Sequence, residues 1–198
     1  MKERIIKLLS NTNIDGIYAL INWMEDNGFF TAPCSGAHHL CKEGGLAEHS
    51  LNVYDALVKL NETMDAKISE KSIVLCALLH DLGKAGDHGK PNYVENYVSS
   101  RKKDENGNVI MVRSEAKPYE TNKELTYEEH EIRSVIIAER FIPLTEEEET
   151  AILHHNGLFG KLDSGFGNHN YDKTPLAFLL HTADMYCSRF IEVEQGEE

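Results

Sequence analysis

The chain has 198 residues, enough for one domain with a substantial core and too few for two ordinary ones. Hydrophobic residues make up 41% and charged residues 27%, inside the globular range. A formal charge of −13 repels polyanions at long range, which argues against a duplex nucleic-acid binder with a broad basic surface. A small phosphorylated substrate stays open, because a bound cation reverses the field locally.

No apolar run approaches the roughly 20 residues that a membrane span needs. The N-terminus Met1-Lys-Glu-Arg-Ile-Ile-Lys mixes acid and base and lacks a signal peptide's apolar stretch. A cytoplasmic soluble protein is expected. Cys34, Cys41, Cys76 and Cys187 form no C-x-x-C pair, so neither a disulfide framework nor a zinc ribbon is indicated.

In chain order, residues 2–10 and 14–27 predict an opening helix pair, with Asn13 as a cap and Gly28 as a stop. Residues 45–61 carry an inward stripe of Leu46, His49, Val53, Leu57 and Leu60 at helical spacing. Residues 70–84 include Ile73 to Leu79, apolar on nearly every side, as in a central buried helix. Residues 92–116 break the pattern: β-prone runs flank Glu105-Asn-Gly-Asn108, which predicts an inserted β-hairpin. Helices follow at 126–141, at 145–155 behind the capping box Thr145-Glu-Glu-Glu148, and at 173–192. The acidic stretches Glu146–Glu149 and Glu192–Glu198 read as solvated surface. The fold class is therefore all-α with one small hairpin, in a single domain.

Chemistry is signalled by where the polar residues fall. His80 and Asp81 end a run that has to be buried, Asp184 lies inside another, and His49 points along an apolar stripe. A buried carboxylate is very costly unless it is paired or holds a metal. Two such carboxylates beside several imidazoles point to one shared cation site. On a helix His80 and Asp81 are about 100° apart, so they approach one cation from neighbouring directions while Asp81 reaches a second. Lys84 emerges on the same face, placed to hold a phosphate oxygen. Imidazole with carboxylate suits Mn, Fe, Ni, Co or Zn better than Ca.

The order His49…His80-Asp81…Asp184 resembles the H…HD…D signature of the HD-domain superfamily of metal-dependent phosphohydrolases. Ala37-His38-His39…Gly44-Gly45-Leu46…His49 is similar to the HD domain of bacterial 3′–5′ exoribonucleases. His80-Asp81-Leu82-Gly83-Lys84 and the doublet His154-His155 resemble the dinuclear HD-GYP branch, and small HD hydrolases of Firmicutes and their phages are similar in length. The resemblance covers about residues 30–192 and implies an HD helical fold. It implies one ion on His49, His80, Asp81 and Asp184, and a second on bridging Asp81, His130 and His155, with His154 beside them. One or two divalent transition ions follow, with Mg an alternative. Asp81, Lys84 and His154 are the implied catalytic residues, and the substrate is a small phosphorylated compound, a nucleotide or oligonucleotide. Asn156-Gly-Leu-Phe-Gly stands where a Gly-Tyr-Pro element would follow the doublet, which points away from cyclic dinucleotides. The rival functions are a di-iron oxygenase and a non-catalytic nucleotide sensor.

Taken singly, each residue has a plainer role. His49 alone reads as a hydrogen-bonded core histidine, His130 as a surface histidine and Lys84 as neutralising a helix end. His38, His39, His88, His169 and His181 read as structural, with His39 and His181 as partners behind the ligands. Arg189 reaches either a phosphate or a surface carboxylate, and the basic residues of the hairpin read as ordinary surface.

Overall fold

Ile73 to Leu79 are all buried, and the other helices are arranged around them. They lie in α4 (Glu70–Leu79), which starts where the Ser69 side chain accepts from the Ser72 amide. In the computed structural model, which describes residues 1–126, 128–162 and 169–193, α4 packs against four helices. These are α1 (Lys2–Asn11), α3 (Gly45–Met64), α6 (Glu146–Leu153) and α7 (Pro175–Tyr186). α2 (Ile17–Asp26) packs on α1, and α5 (His130–Glu139) packs on α6. No helix among the described residues is long and apolar enough to cross a membrane.

The helix ends show local chemistry at work. Gly28 takes the left-handed conformation (φ 76°) that closes α2, and the Phe29 amide turns back to Met24 O. The capping box of α6 is formed, with Thr145 accepting from the Glu148 amide and Glu148 from the Thr145 amide. Asn13 does not cap α2: its side chain donates to Asn11 O, and Gly16 occupies the cap position. Five helices are shorter than the sequence predicts, α2 and α6 by a few residues at their ends and α4, α5 and α7 by more. α5 starts at His130, and α7 passes after Tyr186 into a π-helical turn, Cys187–Ile191. α4 stops at Leu79, followed by a 3₁₀ turn, Leu82–Lys84. The physical reason is visible at Gly83, whose amide donates to Ser134 Oγ at 2.8 Å rather than continuing the helix.

The hairpin is longer than residues 92–116. β2 (Tyr97–Lys103) pairs antiparallel with β3 (Val109–Arg113), from Tyr97 opposite Arg113 to Lys103 opposite Val109. Between them the Asp104 side chain accepts from the amides of Asn106 and Asn108. Beneath lies a second antiparallel pair, β1 (Tyr93–Glu95) with β4 (Tyr119–Thr121). Its base docks on the loop after α2, where the Tyr119 amide reaches Gly36 O at 3.3 Å. Arg133 of α5 holds the same base through Asn92 Oδ1 at 2.8 Å. The hairpin thus braces the loop that carries Cys34 and His39. Its own upper strands are exposed on both faces, so Arg101, Lys102 and Lys103 are surface groups.

Candidate metal centre

Five helices and their ends deliver six side chains to one place. His49 comes from the second turn of α3, His80 and Asp81 from the end of α4, and His130 from the first residue of α5. His155 follows α6, and Asp184 sits in α7. His49, His80, Asp81 and His155 are at most 1% exposed.

Asp81 divides the group. Its Oδ2 lies 3.4 Å from His49 Nε2 and 3.5 Å from His80 Nε2, and His49 Nε2 is 3.2 Å from Asp184 Oδ1. Its Oδ1 lies 3.2 Å from His130 Nε2 and 3.5 Å from His155 Nε2. Ligands about 2.1 Å from one ion and on neighbouring corners stand roughly 3.0–3.5 Å apart, so both half-sites have a metal's spacing.

The protonation pattern agrees. His80 Nδ1 is 2.9 Å from Ala77 O, and His155 Nδ1 is 2.7 Å from Ile152 O. A carbonyl only accepts, so each Nδ1 carries a proton, and in the neutral imidazole each Nε2 turns its lone pair inward. Asp81 Oδ1 is buried and accepts no hydrogen bond. Inward lone pairs around an orphaned carboxylate oxygen repel one another, and a cation is the partner that all of them accept. The residues therefore fit divalent transition ions.

Charge is concentrated here. Burial alone would lower His49, but the Asp184 and Glu192 carboxylates raise it to about 10. Burial would raise Asp81 and Asp184; Lys84 and His80 hold Asp81 well below the usual carboxylate range, and His49 does the same for Asp184. Burial keeps His80 lowered.

The neighbours were only partly expected. Lys84 Nζ is 2.6 Å from Asp81 Oδ2, with its side chain 15% exposed at the rim. Glu192, read from the sequence as solvated tail, has a side chain 1% exposed and takes His49 Nδ1 at 2.9 Å. Asn52 Nδ2 donates to the same carboxylate at 2.9 Å. This is a correction, and the π turn is its cause. In an unbroken α-helix the residue seven after Asp184, Ile191, would share its face. A π turn spends an extra residue, so the inward position passes to Glu192 while Ile191 is 53% exposed. The remainder of the acidic tail, residues 194–198, lies outside the described residues. A carboxylate behind a ligating imidazole fixes its orientation and basicity, so Glu192→Gln is expected to weaken metal binding about 10-fold in a chelator competition.

His39 Nε2 lies 3.7 Å from Glu192 Oε2, and His181 Nδ1 donates to His155 O at 2.7 Å, so both stand behind candidate ligands. Glu131 Oε2, buried and without a hydrogen bond, is 3.1 Å from His130 Nδ1. His154 is not among the clustered donors; its Nε2 is 3.3 Å from Asn170 Nδ2. His88 is an exposed histidine beside Asp87, and His169 stacks near Tyr171. Arg189 lies over the Phe159 ring and, with His38, His39, Ser188 and Val193, lines a cavity of about 420 Å³ next to the cluster.

The HD-domain family model matches residues 46–188, a span from the start of α3 to the π turn. The chain belongs to the HD-domain family. Searches of curated proteins and of solved structures give no match. The matched span contains all six metal-ligand candidates of this HD domain, while Cys34, His39 and Glu192 fall outside it. At the level of class, HD domains are metal-dependent hydrolases, and the described His/Asp cluster is of the kind that binds divalent ions.

Proposed function

We propose that this HD domain hydrolyses a phosphomonoester or phosphodiester bond in a nucleotide or oligonucleotide, with two divalent ions. His49, His80, Asp81 and Asp184 hold one ion, and Asp81, His130 and His155 hold the other. The observation that carries the reading is the division of Asp81, with Oδ2 between His49 and His80 and Oδ1 between His130 and His155. Ions bound there supply Lewis acidity toward a phosphoryl oxygen and a water acidified to a nucleophile near neutral pH.

The chain's own groups do the rest. Lys84 gives its ammonium to a phosphate oxygen at the rim, where the charge that develops is greatest. His154, beside the cluster in sequence and turned toward Asn170, is our candidate to protonate the leaving oxygen. Arg189 and His38 line the adjoining cavity and bind the remainder of the substrate.

The test is a screen of generic phosphomonoesters, phosphodiesters and natural nucleotides with protein stripped by chelator and reloaded with Mn, Fe, Ni, Co, Zn or Mg. Phosphate release that depends on the added ion is expected. Lys84→Met should lower kcat/KM about 10- to 100-fold, the worth of a hydrogen bond to a charged group. Absence of hydrolysis with every ion, or iron-dependent oxygen consumption instead, overturns the reading.

A further inference from the structure

We propose that Cys34, His39 and Glu192 form a third cation site, behind His49, for a borderline-soft transition ion such as zinc. Cys34 Sγ lies 3.2 Å from His39 Nε2, and that nitrogen lies 3.7 Å from Glu192 Oε2. Ligands of one tetrahedral zinc, with Zn–S about 2.3 Å and Zn–N or Zn–O about 2.0 Å, stand roughly 3.2–3.6 Å apart. His39 Nε2 thus stands within or close to coordination spacing of the thiol on one side and the carboxylate on the other. A thiolate, an imidazole and a carboxylate together favour zinc, cobalt or iron over magnesium or calcium.

The donors are held in place. Cys34 and Glu192 are buried. The Cys34 amide donates to Leu40 O at 3.2 Å, Ser35 Oγ donates to His39 O at 2.9 Å, and the His38 amide donates to Ser35 Oγ at 2.9 Å. Leu40 sits at φ 46°, a conformation that leucine adopts only under such constraint. From the opposite side Glu192 is held by Asn52 through Oε1 and by His49 through both carboxylate oxygens, and Oε2 also faces His39. The cavity of about 420 Å³, lined in part by His39, gives access and room for a fourth ligand.

Charge balances too. Burial pushes the Cys34 thiol up, with Lys84 acting against it. Binding replaces the thiol proton, which passes to solvent, and the Lys84 ammonium 3.9 Å from Sγ steadies the thiolate. The ion joins the loop after α2 to the C-terminal π turn, the two walls of the cavity beside the His/Asp cluster. The site lies directly against the first half-site: Cys34 Sγ is 3.9 Å from Asp81 Oδ2, and Glu192 keeps its contact with His49.

Cobalt titration of chelator-stripped protein tests this. Wild type should develop a near-ultraviolet thiolate-to-cobalt charge-transfer band whose final amplitude corresponds to one of the bound cobalt ions. Cys34→Ser should abolish the band and leave the cobalt bound by the His/Asp cluster. Asp81→Asn should do the reverse, so failure of this site and failure of the proposed dinuclear site are separable. His39→Ala, at a partly exposed residue, should weaken the band's apparent affinity about 100-fold or more and guards against a folding defect in Cys34→Ser. A wild type without the band, or a band that survives in Cys34→Ser, overturns the proposal.

Discussion

Asp81→Asn is expected to lower hydrolysis by at least about 10³-fold and to empty both half-sites. Asp81 contacts ligand nitrogens of both halves, His49 and His80 on one side, His130 and His155 on the other. An amide has one oxygen and cannot bridge. Its NH₂ donates toward lone pairs that would otherwise converge on an ion. Losing the Lewis acid removes several kcal/mol of transition-state stabilisation, and each 1.4 kcal/mol is about tenfold in rate. The substitution keeps shape and removes a buried charge, so the fold should survive. Metal analysis, steady-state rates and circular dichroism on the same preparation decide the matter. Full metal content with full activity in Asp81→Asn would remove the basis for any chemistry at this cluster.

How much of this could be read from the residues depends on where each one sits. His49, His80 and Asp184 stand out because helical period and apolar runs place them inside, where a charge needs a partner. His130 and His155 lie at helix ends, where period says nothing, and only resemblance to known HD domains pointed to them. Lys84 was expected one helical turn from Asp81. The structure brings it beside Asp81 through a 3₁₀ turn instead, because Ser134 takes the Gly83 amide, and pairs it with the Asp81 carboxylate. Glu192 was illegible for a definite reason: its inward position depends on a π turn, and nothing in Cys187-Ser-Arg-Phe-Ile191 announces an extra residue per turn. Cys34 lies on a loop, which has no period to read. The inner hairpin pair was legible from Asn106-Gly107. The outer pair has three residues a side and is set by docking onto Gly36 and Asn92.

The last expectation concerns a residue without a side chain. Gly83→Ala should destabilise the protein by about 2–4 kcal/mol and leave the His/Asp cluster able to hold one ion rather than two. A Cβ at Gly83 would stand 2.1 Å from His130 O and 2.8 Å from Arg133 Cβ, and the nearest atom is backbone, which cannot swing aside. The Gly83 amide is hydrogen-bonded to Ser134 Oγ, which in turn donates to His130 O at 2.7 Å, so the turn after Asp81 is clamped to the first turn of α5. Relieving the overlap means moving that turn by roughly 1 Å, and His130 moves with it, away from the oxygen it faces across 3.2 Å. The half-site of His49, His80 and Asp184 is on other helices and keeps its spacing. Gly89→Ala is the control: its Cβ meets nothing within 4 Å, so only the left-handed backbone (φ 72°) is penalised, by about 1 kcal/mol. Thermal melts and metal counting on the two variants separate the cases. If Gly83→Ala melts like Gly89→Ala and retains both ions, the contact between turn and helix does not set the second half-site.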